Sequence, residues 1–172
     1  ALPFKKPWLQ INTSRGTLFC ELFASIAPIH VANICHLVST KRPDGRGFYE
    51  GLSWHRVVSQ FVVQGGCPNG DGWGDPGWTI VDELSDLRFE RGTLGMPKAG
   101  PDTGGCQLFF CHDQAPHLEG QYTIFGAIRF GFDCLDQLEE GDHILKIEVV
   151  GEENIRKLFP GQTKKGQENG GD

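Results

Sequence analysis

Two short segments near the start of the chain alternate between apolar and polar residues, which is the pattern of a strand with one buried face. They span residues 8–12 and 17–23 and flank a Ser14-Arg15-Gly16 turn. Two such strands joined by a short turn that contains glycine predict a β-hairpin. We therefore expect the folded part of the chain to begin with an antiparallel strand pair.

Two other segments have helical spacing. Pro28 suits the first turn of a helix, and the apolar residues after it recur at i, i+3, i+4 and i+7, namely Val31, Ile34, Cys35 and Val38. This spacing predicts a helix that ends near residue 40. A second, shorter helix is predicted over residues 132–138.

Most of the remaining chain consists of short apolar runs separated by turn residues, which predict further strands. These runs span residues 52–58, 61–64, 92–96, 107–111, 123–128 and 144–150. Many short strands with only two helices are typical of a barrel or sandwich with helices at its ends. Residues 67–77 are too rich in glycine and proline for a regular element and predict a long, shaped loop.

The composition narrows the class of partner. The chain has 172 residues, enough for one domain with its own core, and its net charge of −6 argues against a phosphate-backbone ligand. It has no run of about 18 apolar residues and no apolar signal core at its start, so neither a membrane nor an export pathway is expected. We expect a cytoplasmic protein, although Ala1 in place of a Met leaves export or fusion to other domains open.

The six cysteines show no CxxC pair and no Cys/His spacing of a zinc site. We expect reduced, partly buried thiols, with one or more disulfides as the alternative. Asn69, Asp71 and Asp75 lie in a glycine-rich segment that faintly resembles a calcium or phosphate loop, but the closing Glu and a following helix are missing. No metal or cofactor is therefore expected, and Trp73 and Trp78 are expected to pin the loop to the fold.

The clearest chemical signature is the run Trp54-His55-Arg56-Val57-Val58, followed by Phe61 and a Gln64-Gly65-Gly66 turn. These residues closely resemble the active-site strand pair of cyclophilins, the peptidyl-prolyl cis/trans isomerases. The resemblance continues through residues 92–96, 99–110, 118–120 and 125–126. It implies a mainly β fold: an eight-stranded antiparallel closed β-barrel capped by two α-helices. Residues 8–150 would form the isomerase domain, after an arm of residues 1–7 and before a polar, flexible tail of residues 151–172.

The resemblance assigns catalysis to Arg56, Gln64 and Phe61. Rotation about an X-Pro bond crosses a barrier of roughly 18–20 kcal/mol that amide resonance creates. A protonated arginine that donates a hydrogen bond to the prolyl nitrogen would weaken this resonance without a nucleophile, a metal or a cofactor. The family glutamine, matched by Gln64, holds the arginine and contacts the peptide backbone.

The resemblance also implies a set of substrate-binding residues, which supply an apolar pocket for the proline ring and a segment that pairs with an extended peptide. This set comprises Val62, Lys98, Ala99, Gln107, Phe109, His117, Leu118 and Tyr122. Four of these depart from the usual family residue: Val62 replaces Met, Lys98 replaces Asn, Tyr122 replaces His, and His117 replaces the Trp of many members. The loss of the indole at position 117 predicts weak binding of cyclosporin.

The expected partners are proline-containing peptides and unfolded or partly folded proteins, and the chain is expected to be a monomer. A different class of function stays open: the same groove could hold proline segments without turnover, as one module of a larger protein. Arg56 favours the enzyme, because a pure binder has no need of it. A metal- or nucleotide-binding barrel rests on the glycine-rich loop alone and is the weakest alternative.

Overall fold

The computed structural model describes residues 1–163, and this part of the chain contains eight β-strands in one antiparallel sheet. The strands are β1 (Pro7–Thr13), β2 (Gly16–Leu22), β3 (Arg56–Val58), β4 (Val62–Gly65), β5 (Thr93–Gly95), β6 (Leu108–Cys111), β7 (Ile124–Phe130) and β8 (Ile144–Gly151). All fall within the predicted apolar runs or extend them by one or two residues. The predicted hairpin is β1 paired with β2, in the register Trp8↔Glu21 to Thr13↔Gly16.

The strands follow one another around the sheet in the order β3-β4-β6-β5-β7-β2-β1-β8. This is the mainly β, barrel-like class that was predicted, but the barrel is less completely closed, because no ladder joins β3 to β8 within residues 1–163. The segments that precede these two strands span the gap instead. Ser53 bridges His143, and the backbone N–H of Trp54 donates to the carbonyl of Asp142 at 2.7 Å.

Three α-helices occur in residues 1–163: α1 (Pro28–Ser39), α2 (Phe132–Gln137) and α3 (Glu152–Leu158), besides a 3₁₀ helix at Pro116–Leu118. The first two confirm the predicted helices. Helix α1 begins at its proline, and the side chains of its apolar stripe that are buried pack into the core.

Helix α3 corrects the prediction of a flexible tail that starts at residue 151. Ile155 is fully buried, and Phe159, just beyond the helix, stacks on Phe130 with ring centroids 3.9 Å apart. Two apolar side chains one turn apart therefore pack this segment against the sheet. The sequence-based prediction missed them because most of the residues around them are polar. The rest of the predicted tail, residues 164–172, lies outside the described residues.

The buried side chains form two clusters. The larger, the barrel core, fills the space between the sheet and helices α1 and α2 and includes Trp54, Phe110 and Phe125. The smaller, the pocket cluster, lies on the other face of β4 and β6. It consists of Val62, Phe89, Phe109, Cys111, Ala115, Leu118 and Ile124, with Phe61 and Tyr122 partly buried beside it. Successive residues of β6 alternate between the clusters, as strand geometry requires.

Two features bear on partners and redox state. Within residues 1–163, no helix is both long and apolar enough to cross a bilayer. All six cysteines lie in this part of the chain, each is buried, and none is bonded to another.

Candidate active site

Arg56 opens strand β3 and lies directly across from Gln64 on β4. The strand pair is anchored from below by Trp54, which is fully buried. A Cβ added at Gly65 would lie 2.7 Å from Cε3 of that indole, so only glycine lets β4 pass over it. Arg56 itself is exposed, with its guanidinium carbon 5.9 Å from the centroid of the Phe61 ring. None of the ion pairs within residues 1–163 includes Arg56, so its charge faces solvent and the adjoining cavity.

The cavity beside Arg56, which we call the proline pocket, has a volume of about 260 Å³. Its lining contains eight residues assigned from the sequence together with Pro97. They are Arg56, Phe61, Val62, Gln64, Lys98, Phe109, Leu118 and Tyr122. Val62, Phe109 and Leu118 are at most 9% exposed, so the wall is apolar and the rim is polar. This is the lining that a pyrrolidine ring needs.

The floor of the proline pocket is the Phe109 ring, which is held from both sides. Phe89 stacks on it with centroids 5.8 Å apart, and Tyr122 meets it edge-on at 6.1 Å. Behind it, a Cβ added at Gly95 would collide with the ring. Glycine on β5 is therefore what allows Phe109 to lie flat at this depth.

The glutamine at position 64 is placed differently from the prediction. Its Nε2 donates to Oε1 of Gln107 at 3.0 Å, and within residues 1–163 no hydrogen bond joins it to the guanidinium of Arg56. Gln107 in turn donates through Nε2 to the carbonyl oxygens of Gly72 and Gly74, at 2.8 and 3.2 Å. The two amides thus link strand β4 to the glycine-rich loop, and Gln64 lies opposite Arg56 only through the pairing of β3 with β4.

A second cavity of about 470 Å³, which we call the side cavity, continues from the proline pocket. Ala99 and Gln107 line it, so two of the assigned substrate-binding residues belong here rather than to the ring site. Lys98 borders both cavities. Its Nζ lies 2.6 Å from Oδ2 of Asp82 and 5.4 Å from the Tyr122 ring centroid, which places the amino group against the shared wall.

His117 is the one assigned residue that lines neither cavity. It is exposed on the 3₁₀ helix, and its ring lies 5.1 Å from that of Phe61. It therefore forms the outer rim of the proline pocket beside Phe61.

The glycine-rich loop, residues 69–77, behaves only partly as predicted. Trp78, just after it, is tied to α1, because its Nε1 donates to Oδ1 of Asn33 at 2.9 Å. Trp73 does not pin the loop, because 81% of it is exposed. Oδ1 of Asp71 accepts from the N–H of Trp73, and Oδ1 of Asp75 from that of Gly77, so these carboxylates shape turns. In the described part of the chain no three His, Cys, Asp or Glu residues converge to hold a metal ion.

Sequence reasoning missed several residues of the site. Phe89, Pro97 and Asp82 lie in loops, and their positions depend on pairings between distant segments. His55 lines the side cavity, and burial lowers its pKa below the ordinary range. The sequence could have indicated His55, because it directly precedes Arg56 in the motif Trp54-His55-Arg56-Val57-Val58.

Comparison with known proteins identifies the family. The family model described as cyclophilin type peptidyl-prolyl cis-trans isomerase matches residues 8–158. A peptidyl-prolyl cis-trans isomerase of Synechococcus elongatus is 41% identical over 142 residues, which are 81% of this chain and 94% of that protein. Peptidyl-prolyl cis-trans isomerase B of Bacillus subtilis is 42% identical over 133 residues, 76% of this chain and 89% of the relative.

Solved structures agree with the sequence relatives. A cyclophilin type peptidyl-prolyl cis-trans isomerase of Cryptosporidium parvum superposes with a TM-score of 0.76 at 30% identity, covering 84% of this chain and 98% of that one. The same enzyme determined in the presence of the dipeptide Ala-Pro gives a TM-score of 0.76 at 31% identity, over 83% and 98% of the two chains. The chain therefore belongs to the cyclophilin-type peptidyl-prolyl cis-trans isomerases, a family of enzymes that rotate X-Pro peptide bonds.

Proposed function

We propose that this protein accelerates cis/trans rotation of X-Pro bonds by donating a hydrogen bond from Arg56 to the prolyl nitrogen. As the bond twists, the nitrogen loses conjugation with the carbonyl and its lone pair becomes available. A guanidinium held beside it stabilises that state more than the planar ground state, which is the requirement for catalysis. The observation that carries the proposal is that Arg56 lines the proline pocket, is exposed, and forms no ion pair within residues 1–163.

The proline pocket holds the ring while the bond turns. Phe109 forms its floor, and Val62 and Leu118 form buried parts of its wall. When a proline ring fills the pocket, the apolar walls displace water from around the twisting amide, which strengthens its interaction with the guanidinium. Phe61 borders both the arginine and the ring, so it limits how far either can shift.

The peptide backbone is bound along the shared wall of the two cavities. The backbone at Lys98 and Ala99 is the segment assigned to pair with an extended chain, and Gln64 and Gln107 present side-chain amides across the groove. Backbone pairing of this kind recognises a peptide without regard to most of its side chains. The expected substrates are therefore proline-containing segments of unfolded or partly folded proteins, bound by a cytoplasmic monomer.

The test is X-Pro exchange measured by NMR on a short peptide, which needs no helper protease. Arg56→Ala should lower kcat/KM at least about tenfold, equivalent to ~1.4 kcal/mol, because the donor to the twisted nitrogen is removed. Its melting temperature should stay close to that of the wild type, since the side chain is exposed. Arg56→Lys is the matched control: it keeps the charge, loses the planar fork, and should fall between the two.

The same experiment separates the enzyme from a non-catalytic module. A module that only holds proline segments would bind the peptide and leave its exchange rate at the value in buffer. Wild-type protein without activity, or a folded Arg56→Ala variant as active as the wild type, would contradict the proposed mechanism.

A further inference from the structure

The groove does not end at the proline pocket. The side cavity shares Arg56, Gln64, Pro97 and Lys98 with it, so the two form one continuous depression. The far wall of the side cavity is the glycine-rich loop, which contributes Asp71, Trp73 and Asp75. A peptide whose proline sits in the pocket can therefore extend along this second cavity.

Hydrogen bonds hold the glycine-rich loop in a defined conformation. Gln107 holds the loop through the carbonyls of Gly72 and Gly74, and these bonds lie on either side of Trp73 in the sequence. The hydrogen bonds of Asp71 to the Trp73 N–H and of Asp75 to the Gly77 N–H both use Oδ1, at 2.9 and 2.7 Å. The indole and the two carboxylates are thus presented in a defined arrangement.

Trp73 contributes nothing to the core that would explain it, because 81% of its surface is exposed. Because Trp73 also lines the side cavity, its exposed ring is available to contact a ligand bound there. Among the aromatic side chains, the indole of Trp attracts cations most strongly. Asp71 and Asp75 flank it, and no ion pair within residues 1–163 includes either carboxylate.

The positively charged side chains of the side cavity do not neutralise the carboxylates of Asp71 and Asp75. Lys98 is paired with Asp82 at 2.6 Å, with both side chains only about an eighth exposed. Burial lowers the pKa of His55, which disfavours the protonated form of its ring. Arg56 stands at the boundary with the proline pocket. The loop end of the cavity is therefore negative, and its other end is positive.

The substrate position that reaches the loop follows from chain geometry. The residue before proline leaves the ring from its nitrogen, the atom that faces Arg56, so the preceding residues run towards the cavity that shares Arg56. In an extended chain, neighbouring side chains point to opposite faces. With the proline ring directed into the protein, the next residue points to solvent, and the one two positions before proline points back into the side cavity.

We propose that the side cavity is a specificity site for a lysine or arginine side chain two residues before the substrate proline. The cation lies against the Trp73 indole and between the Asp71 and Asp75 carboxylates. The proposal rests on the proposed isomerase function and adds to it the class of substrate that this chain prefers.

The test compares three peptides that differ only at that position, with Lys, Gln or Glu, by NMR exchange at low ionic strength. The Lys peptide should have a kcat/KM about five- to tenfold above the Gln peptide, a modest factor because the interacting groups are exposed. The Glu peptide should be the poorest of the three. The advantage of Lys should shrink as salt rises, since the Debye length falls from about 10 Å at 0.1 M to about 3 Å at 1 M.

The variants isolate the charges. Asp71→Asn combined with Asp75→Asn keeps the Oδ1 acceptors that shape the loop and removes both charges, so the Lys-to-Gln ratio should fall to about one. Trp73→Leu should lower the ratio less. Glu148→Gln combined with Glu153→Gln, on β8 and α3, changes the net charge equally outside the two cavities and should keep the wild-type ratio.

Equal rates on the three peptides in the wild type would overturn the inference, as would a Lys preference that the Asp71/Asp75 variant retains or that the Glu148/Glu153 variant loses. Activity on the Gln peptide tests the proposed isomerase function separately from the proposed specificity site. If no peptide is isomerised, the isomerase assignment itself fails, whereas activity on all three without preference removes only the specificity site.

Discussion

At the scale of single residues, His117 shows how one side chain can alter ligand binding without touching the reaction. Its ring lies beside Phe61, 5.1 Å away, and outside the lining of the proline pocket. A rim position adds contact area for a large ligand that extends beyond the ring site. It adds little for a short peptide whose proline sits inside.

We therefore expect His117→Trp to strengthen cyclosporin binding more than tenfold, equivalent to about 1.4 kcal/mol, because an indole buries more apolar surface at the rim. The rate of X-Pro exchange in short peptides should change much less. Isothermal calorimetry on the wild type and the variant measures the effect. Nanomolar binding by the wild type would contradict the assigned weakness.

At the scale of secondary-structure elements, the active site depends on where strands β5 and β6 come together. Gly95 is paired with Phe109, and the ring of Phe109 lies over the glycine. The floor of the proline pocket is therefore set by a strand pairing and by the absence of one side chain. Neither the pairing of β5 with β6 nor the glycine at position 95 involves β3, the strand that carries Arg56.

Gly95→Ala should force the Phe109 ring upwards into the proline pocket. We expect a loss of stability of about 1–3 kcal/mol from overpacking and a fall in kcat/KM of tenfold or more, since the ring would occupy substrate space. Urea unfolding and NMR exchange measure the two effects.

Gly100→Ala is the matched control for this change. It lies in the loop that follows β5, and an added Cβ there meets nothing within 4 Å. It should leave stability and rate near the wild-type values. If both variants behaved alike, the fit of Phe109 against Gly95 would not explain the pocket.

At the scale of the whole molecule, six thiols are enclosed by one small fold. Each cysteine is buried, and none is bonded to another. Burial raises the pKa of Cys106 and of Cys111 to about 12 and that of Cys35 to about 11, so few of these groups are thiolates at neutral pH. The thiolate is the reactive form. These cysteines should therefore react slowly for two reasons: burial blocks reagents from reaching the sulfur, and the raised pKa keeps the thiol protonated.

We expect the native protein to react slowly with Ellman's reagent at pH 8. The unfolded protein should react at once and titrate six equivalents without prior reduction, one for each free cysteine. Four or fewer equivalents would indicate a disulfide and an oxidising compartment.

The same thiols predict a loss of stability in alkali. Their pKa is higher in the folded than in the unfolded chain, where it is near 8.5, so the folded state holds these protons more tightly. Their contribution to stability is complete below about pH 8.5 and is lost as the pH rises towards 11 or 12. The urea midpoint should therefore fall from pH 8.5 to 10.5, and less steeply in Cys35→Ala. An equal slope in that variant would rule out a contribution from Cys35.

Much of this protein could be predicted from local sequence. Alternation marks β1, β2 and the remaining strands, Pro28 marks the start of α1, and the motif around Arg56 and Gln64 indicates the family and the reaction. These features depend on residues that are close together in the chain, where backbone geometry relates spacing directly to the face on which a side chain lies.

The tertiary structure decided the features that depend on distant segments. The pairing of Gln64 with Gln107, the Asp82 partner of Lys98 and the Phe89 ring beneath Phe109 join positions 16 to 43 residues apart. Helix α3 forms because Ile155 and Phe159 find apolar partners on the sheet. Trp73 was expected to pin the loop to the fold, and 81% of it is exposed. Local sequence determines which side chains lie on each face of a strand or helix. Only the tertiary structure determines which distant residues each face contacts.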